Sequence, residues 1–145
     1  MKRLQLLLLM LLALPIGMLA AGKNWQTATS ISNGGSASGT LSKDNTEEWM
    51  SIKVTEDGTA ALTITPSGTL EVQYLTLYFY NSTDGQVYER GGTGQDSYTN
   101  VGKEKKTLTV ANLAPGTYYV RANRWNGEGN YTVAYEFTPT NVTND

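Results

Sequence analysis

The chain has 145 residues, 11 Lys and Arg against 13 Asp and Glu, a formal net charge of -2, and no cysteine or histidine. That length suits one domain of ordinary size, whose stability must come from a packed core because no disulfide can form. The two missing residue types also exclude thiol nucleophiles, Ser-His-Asp machinery, HExxH zinc sites and lipid attachment at cysteine, and they leave a transition metal without its usual ligands.

Met1-Lys2-Arg3 precedes an apolar run from Leu4 to Leu14, with Pro15, Gly17, Ala20 and Ala21 after it, which is the order of a secretory signal peptide. A membrane-spanning helix needs about 20 unbroken apolar residues, and this run is interrupted before it opens into Lys23 and Asn24. Residues 1–21 therefore read as a leader cut after Ala20 or Ala21, and the protein as secreted or periplasmic, with no membrane insertion of the mature chain. Lys2 and Arg3 leave with the leader, so 9 basic residues remain against 13 acidic ones, a net charge of -4. Lys103 to Lys106 is the only basic knot, and Glu104 interrupts it, so no nucleic-acid partner is expected.

From Ser36 to Phe137 apolar residues alternate with polar ones at period two, and Gly, Asn and Asp punctuate the pattern, which argues for many antiparallel strands. Met50, Ile52 and Val54 share one face of the first clear strand, and Trp49, Ser51 and Lys53 the other. Ala60, Leu62 and Ile64 repeat the pattern up to Pro66. From Leu70 to Tyr80, Leu75, Leu77 and Phe79 face one way and Tyr74, Thr76, Tyr78 and Tyr80 the other. The segment from Gly91 to Gly102 reads as a long surface loop with Tyr98 and Val101 turned inward. Three further strands put Leu108 and Val110, then Tyr118, Val120 and Ala122, then Tyr131, Val133 and Tyr135 on their core faces. Short, evenly spaced strands with such turns predict an all-β fold, a jelly-roll-like antiparallel β-sandwich over residues 22–138, followed by a flexible tail at 139–145.

Ala28-x-x-Ile31, Gly39-Thr40-Leu41, Glu48-Trp49-Met50-Ser51-Ile52-Lys53-Val54 with Gly58, and Leu75-x-Leu77-Tyr78-Phe79-Tyr80 occur in that order. Leu113-Ala114-Pro115-Gly116-Thr117-Tyr118-Tyr119-Val120-Arg121 and Gly129-Asn130-Tyr131-Thr132-Val133 follow. Together these motifs resemble the bacterial pre-peptidase C-terminal domain, which is similar to the collagen-binding domains of clostridial collagenases. The resemblance implies a jelly-roll-like sandwich acting as a non-catalytic accessory module of secreted proteases. The Pro115-Gly116 pair reads as a type II turn, with positive φ at Gly116. Family members can bind calcium through an acidic loop and an acidic N-terminal linker. Here Asp44, Asn45, Glu47 and Glu48 are the only weak metal candidates and residues 22–26 carry no carboxylate, so the loop reads as solvated and no cofactor is expected.

The recognition signal is aromatic. Tyr74, Tyr78 and Tyr80 share the non-core face of their strand, Tyr119 and Arg121 occupy outward positions of a later one, and Trp125 stands beside the Asn126-Gly127 turn. Such rings combine apolar area with a hydrogen-bonding handle, which suits sugar faces and extended peptides. Catalysis by carboxylates requires a held pair, and nothing in the sequence pairs Asp57, Asp84, Glu89 or Asp96, so the chain reads as non-enzymatic. The expected function is a secreted binding or accessory module for an extracellular polysaccharide or extended protein. The alternative is a protein-partner module that stabilises, inhibits or escorts a secreted peptidase.

Overall fold

The computed structural model describes residues 18–90 and 97–141. Most of the leader, the start of the glycine-rich loop with Asp96, and the end of the tail lie outside the described residues. The strands in chain order are β1 (Met18–Ala20), β2 (Thr29–Ile31), β3 (Ser36–Leu41), β4 (Glu47–Val54), β5 (Gly58–Pro66) and β6 (Glu71–Asn81). They continue as β7 (Gln86–Glu89), β8 (Tyr98–Gly102), β9 (Lys106–Leu113), β10 (Gly116–Asn126) and β11 (Gly129–Pro139), and a single 3-10 turn, Trp25–Thr27, precedes β2. Among the described residues no helix is long and apolar enough to cross a membrane.

Sheet 1 has the order β1-β3-β11-β5-β9 and sheet 2 the order β2-β4-β10-β6-β7, with β8 also paired to β6. The chain passes from one sheet to the other at every connection except β6 to β7 to β8. This gives the expected jelly-roll-like sandwich. Pairing is antiparallel except at two short edges, where β1 runs parallel to β3 and β2 parallel to β4. β1 lies within the stretch read as leader, and β11 continues through Pro139, the first residue read as tail.

Alternation places the core as expected. Met50, Val120 and Leu77 form one row across the inner face of sheet 2, and Ala37, Val133 and Ile64 one across sheet 1. All six are fully buried. Leu77→Ala removes a side chain from the middle of this packing, and the expected cost is about 2–5 kcal/mol, read as a fall in the urea midpoint. A loss below about 1 kcal/mol would place Leu77 outside the core.

Three local expectations are corrected. Tyr98 to Gly102 is not loop but strand β8, paired with β6. Residues an odd number of positions apart cannot share a face of a strand, so Val101 is buried while Tyr98 is exposed on the outer face. Phe79 has the core parity, yet it sits beyond the end of the packed interior, 37% exposed, with its ring 6.0 Å from that of Tyr88. Gly116 adopts a φ of 157°, far from the value a type II turn needs, and the left-handed residue here is Asn112, at 59°. The Pro-Gly-Thr-Tyr motif is secured instead by the Tyr118 hydroxyl, which donates to the Ala114 carbonyl at 2.8 Å. The β10–β11 connection does need its glycine: Gly127 has a φ of 68°, and a Cβ there would fall 1.9 Å from the Thr69 carbonyl oxygen.

Candidate binding face

The outer face of sheet 2 follows from the same period-two rule, applied across strand register. β10 runs beside β6 with Tyr119 opposite Tyr78, Arg121 opposite Thr76 and Asn123 opposite Tyr74. On its other side β10 meets β4, with Arg121 opposite Trp49 and Tyr119 opposite Ser51. β7 and β8 add Glu89 opposite Tyr78, Tyr98 opposite Thr76 and Asn100 opposite Tyr74. Tyr74, Tyr78, Tyr80, Tyr119 and Arg121 therefore do share one face.

The centre of that face is closed. The Trp49 and Tyr78 rings lie 4.9 Å apart, and the Arg121 guanidinium carbon is 5.9 Å from the Trp49 centroid and 5.6 Å from that of Tyr78. A guanidinium over an aromatic face is held by the ring quadrupole. The Trp49 indole N–H donates to Glu47 Oε2 at 2.7 Å, which fixes the ring from the other side. Tyr78 is left 8% exposed, and burial raises its pKa above the ordinary phenol value while the charge of Arg121 pulls against the rise. Tyr78 is thus corrected from a contact ring to the middle of a small outer core.

Accessible rings flank this plug at both ends. At one end Trp25 packs 5.3 Å from Tyr119 and 5.9 Å from Tyr80. Beyond them a groove of about 410 Å³ is lined by Phe79, Tyr80, Pro115, Gly116, Thr117, Tyr118 and Tyr119. Tyr88 stands nearby with its hydroxyl donating to Asp84, a bond that raises its pKa. At the other end Tyr74 and Tyr98 meet edge to face at 5.3 Å. Register shifts between Asn123 and Asn126 form a bulge in β10. The bulge brings Trp125, 65% exposed, to a second groove of about 410 Å³ with Glu71, Gln73, Tyr74 and Asn100.

Trp25, Trp49, Tyr88 and Tyr98 were not among the expected site residues. Trp49 was detectable, since it shares parity with Ser51 and Lys53 on the outer face of its strand. Trp25 had no signal, because it lies in a segment without alternation.

The acidic loop is organised differently from a solvated turn. Glu48 is 4% exposed. Its Oε1 accepts from the Thr40 backbone N–H at 3.0 Å and the Tyr131 hydroxyl at 2.9 Å, and its Oε2 from Lys23 Nζ and Asn45 Nδ2, both at 3.0 Å. Gly39 makes room for the group, for a Cβ there would fall 2.0 Å from Oε1. Asn45 also donates to the Thr40 carbonyl, Glu47 accepts from Trp49, and Asp44 is exposed. Among the described residues no three His, Cys, Asp or Glu side chains converge as a metal site would require.

The class these features define is a jelly-roll-like β-sandwich with one aromatic sheet face. No protein-family model matches the chain, and no curated protein matches it in sequence. Solved structures do match. The pre-peptidase C-terminal domain of a collagenase from Bacillus anthracis aligns over 74% of this chain and 93% of its own length, at 14% identity and a TM-score of 0.51. CorA, a surface-associated copper-binding protein of Methylomicrobium album BG8, aligns over 82% and 100%, at 11% identity and 0.52. PliG, a periplasmic inhibitor of g-type lysozyme from Aeromonas hydrophila, aligns over 83% and 99%, at 10% identity and a lower TM-score of 0.43. At these identities the likeness is one of fold, and at that level it supports the resemblance read from the motifs.

Proposed function

We propose that the protein is a non-catalytic binding module, secreted or periplasmic, which holds an extracellular polysaccharide or extended protein on the aromatic face of sheet 2. One observation carries this reading. Of the six exposed large apolar side chains among the described residues, five are aromatic and stand on strands of sheet 2: Tyr80 and Tyr98 on its outer face, Trp125 at the β10 bulge, and Phe79 and Tyr88 opposite one another on the inner parity, beyond the packed interior and next to Tyr80. Exposed apolar rings gathered on one sheet mark an interaction site better than singly scattered residues do. The outer face of sheet 1 carries Ser36, Ser38, Thr63, Thr65, Thr107, Thr109 and Thr132, small polar residues that offer a ligand little area. Without His or Cys the chain has no imidazole or thiolate with which to take up the copper chemistry of CorA.

The fold shared with a collagenase domain supports a second reading, a protein-partner module that stabilises, inhibits or escorts a secreted peptidase. An array of glycans and collagen-like peptides, run beside a pull-down from the secreted fraction, separates the two. The triple variant Tyr80→Ser, Tyr98→Ser, Trp125→Ser is expected to lose at least about tenfold in affinity for the polymer bound, since aromatic anchors dominate such interfaces. Its melting temperature should stay within a few degrees of the parent. Unchanged binding by the triple variant would rule out the aromatic face.

A further inference from the structure

Thr76 is a small residue among large ones. On the outer face of β6 it stands between Tyr74 and Tyr78, and its register partners are Arg121 and Tyr98. The hole above it is a pocket of about 230 Å³ lined by Tyr74, Thr76, Glu89, Tyr98 and Arg121. Thr76 itself is 2% exposed, so the floor is closed. Sites for drug-sized molecules run from about 300 Å³ upward, and this one has room for a single ring.

Of its two charged groups, Arg121 is held in place with a donor to spare, and Glu89 makes no hydrogen bond or ion pair among the described residues. The Arg121 guanidinium is fixed over Trp49 and Tyr78, its Nε is buried without an acceptor, and the only carboxylate within ion-pair reach among the described residues is Glu47, at 4.0 Å. Rigid donors thus line one side of the pocket and the Glu89 carboxylate lines another, with the Tyr74 and Tyr98 rings beside them.

We propose that this pocket takes one neutral hexopyranose unit of a polysaccharide, an inference that rests on the binding-module reading above. The C–H face of the sugar packs against the tyrosine rings, while its hydroxyls accept from Arg121 and donate to Glu89. Charge selects the ligand. Glu47 and Glu89 outnumber Arg121, which disfavours a uronate or sulfate. A proline ring would cover Arg121 and Glu89 without giving either a partner, whereas a hydroxyl would bond to both. A hydroxyl both donates and accepts, so it satisfies both walls. Tyr74 also lines the groove that leads to Trp125, so the next units of the polymer run that way.

Isothermal titration of the mature protein with cellohexaose, mannohexaose, xylohexaose and a Pro-Pro-Gly repeat peptide tests the assignment. At least one of the two hexose oligomers is expected to bind. Thr76→Phe, which fills the pocket, should weaken that binding by about tenfold or more. The exposed change Glu89→Ala should weaken it by about tenfold, the worth of one charge-assisted hydrogen bond, and it serves as the second variant if Thr76→Phe misfolds. Thr109→Ala, exposed on the outer face of sheet 1, should leave hexose affinity within about twofold. Binding of a hexose oligomer that ignores both pocket variants and is lost with Tyr80→Ser overturns the pocket and leaves the module reading intact. Binding of the proline peptide or xylohexaose alone overturns the hexose assignment and again leaves that reading intact. Failure of all four probes overturns the pocket, and the module reading is then decided by the wider array.

Discussion

Glu48→Ala is expected to remove about 3–5 kcal/mol of stability, a third or more of what many domains possess. The carboxylate ends β4 on the inner face of sheet 2 and receives four donors, from Lys23, the Thr40 backbone, Asn45 and Tyr131. It therefore ties sheet 2 to β11 and β3 of sheet 1 and to the segment preceding β2. Deleting it strands the buried Tyr131 hydroxyl and the Thr40 N–H, and donors without acceptors cost more than the bonds were worth. Glu48→Gln keeps an oxygen for Tyr131 and Thr40 but turns an NH2 toward Lys23 and Asn45, both donors, so its expected loss is smaller, about 1–3 kcal/mol. Urea unfolding of both variants measures the two costs. A loss below about 1 kcal/mol for Glu48→Ala would mean that water replaces the carboxylate without penalty.

The second large effect is alkaline. Burial raises the pKa of Tyr131 far above the ordinary phenol range, and the negative charge and hydrogen bond of Glu48 add to the rise. Burial also raises Tyr78, Tyr118 and Tyr135, and the Tyr135 hydroxyl has no partner among the described residues. In the unfolded chain these phenols lose their protons near pH 10, whereas the folded chain retains them, so above that pH the unfolded state binds fewer protons. The contribution is complete below about pH 10 and is lost as pH rises, by up to about 1.4 kcal/mol per pH unit for each fully protected phenol. The melting temperature is expected to stay level from neutrality to about pH 9.5 and then to fall steeply. Phenolate absorbance should show some tyrosines ionising only as the protein unfolds. Equal melting temperatures at pH 7 and pH 11 would contradict this account.

Which residues face the core was readable because one side of each strand is dry, and parity alone placed Ile52, Leu62, Val120 and Val133 correctly. The same rule extends to Glu48, which shares parity with Met50, Ile52 and Val54. A strand begun at Trp49 stops one residue short of it. Parity does not tell which strand lies beside which. Tyr78 was rightly placed on the outer face, yet its burial depends on Trp49 and Arg121, brought over it by strands from distant parts of the sequence. The accessibility of Trp125 depends on a bulge in β10 that composition does not announce. The pocket over Thr76 was illegible for the same reason, since three of its walls, Tyr98, Glu89 and Arg121, stand on neighbouring strands.

The order of strands also bears on how the polypeptide is made. β10 fills the gap between β4 and β6, and β11 the gap between β3 and β5, so each sheet receives a central member from the C-terminal part of the chain. Until those residues emerge from the ribosome, neither half of the sandwich has a continuous surface on which the other can close. Long-range pairing of this kind is slow even in the finished chain. A nascent polypeptide built this way completes neither sheet until its last two strands have been synthesised.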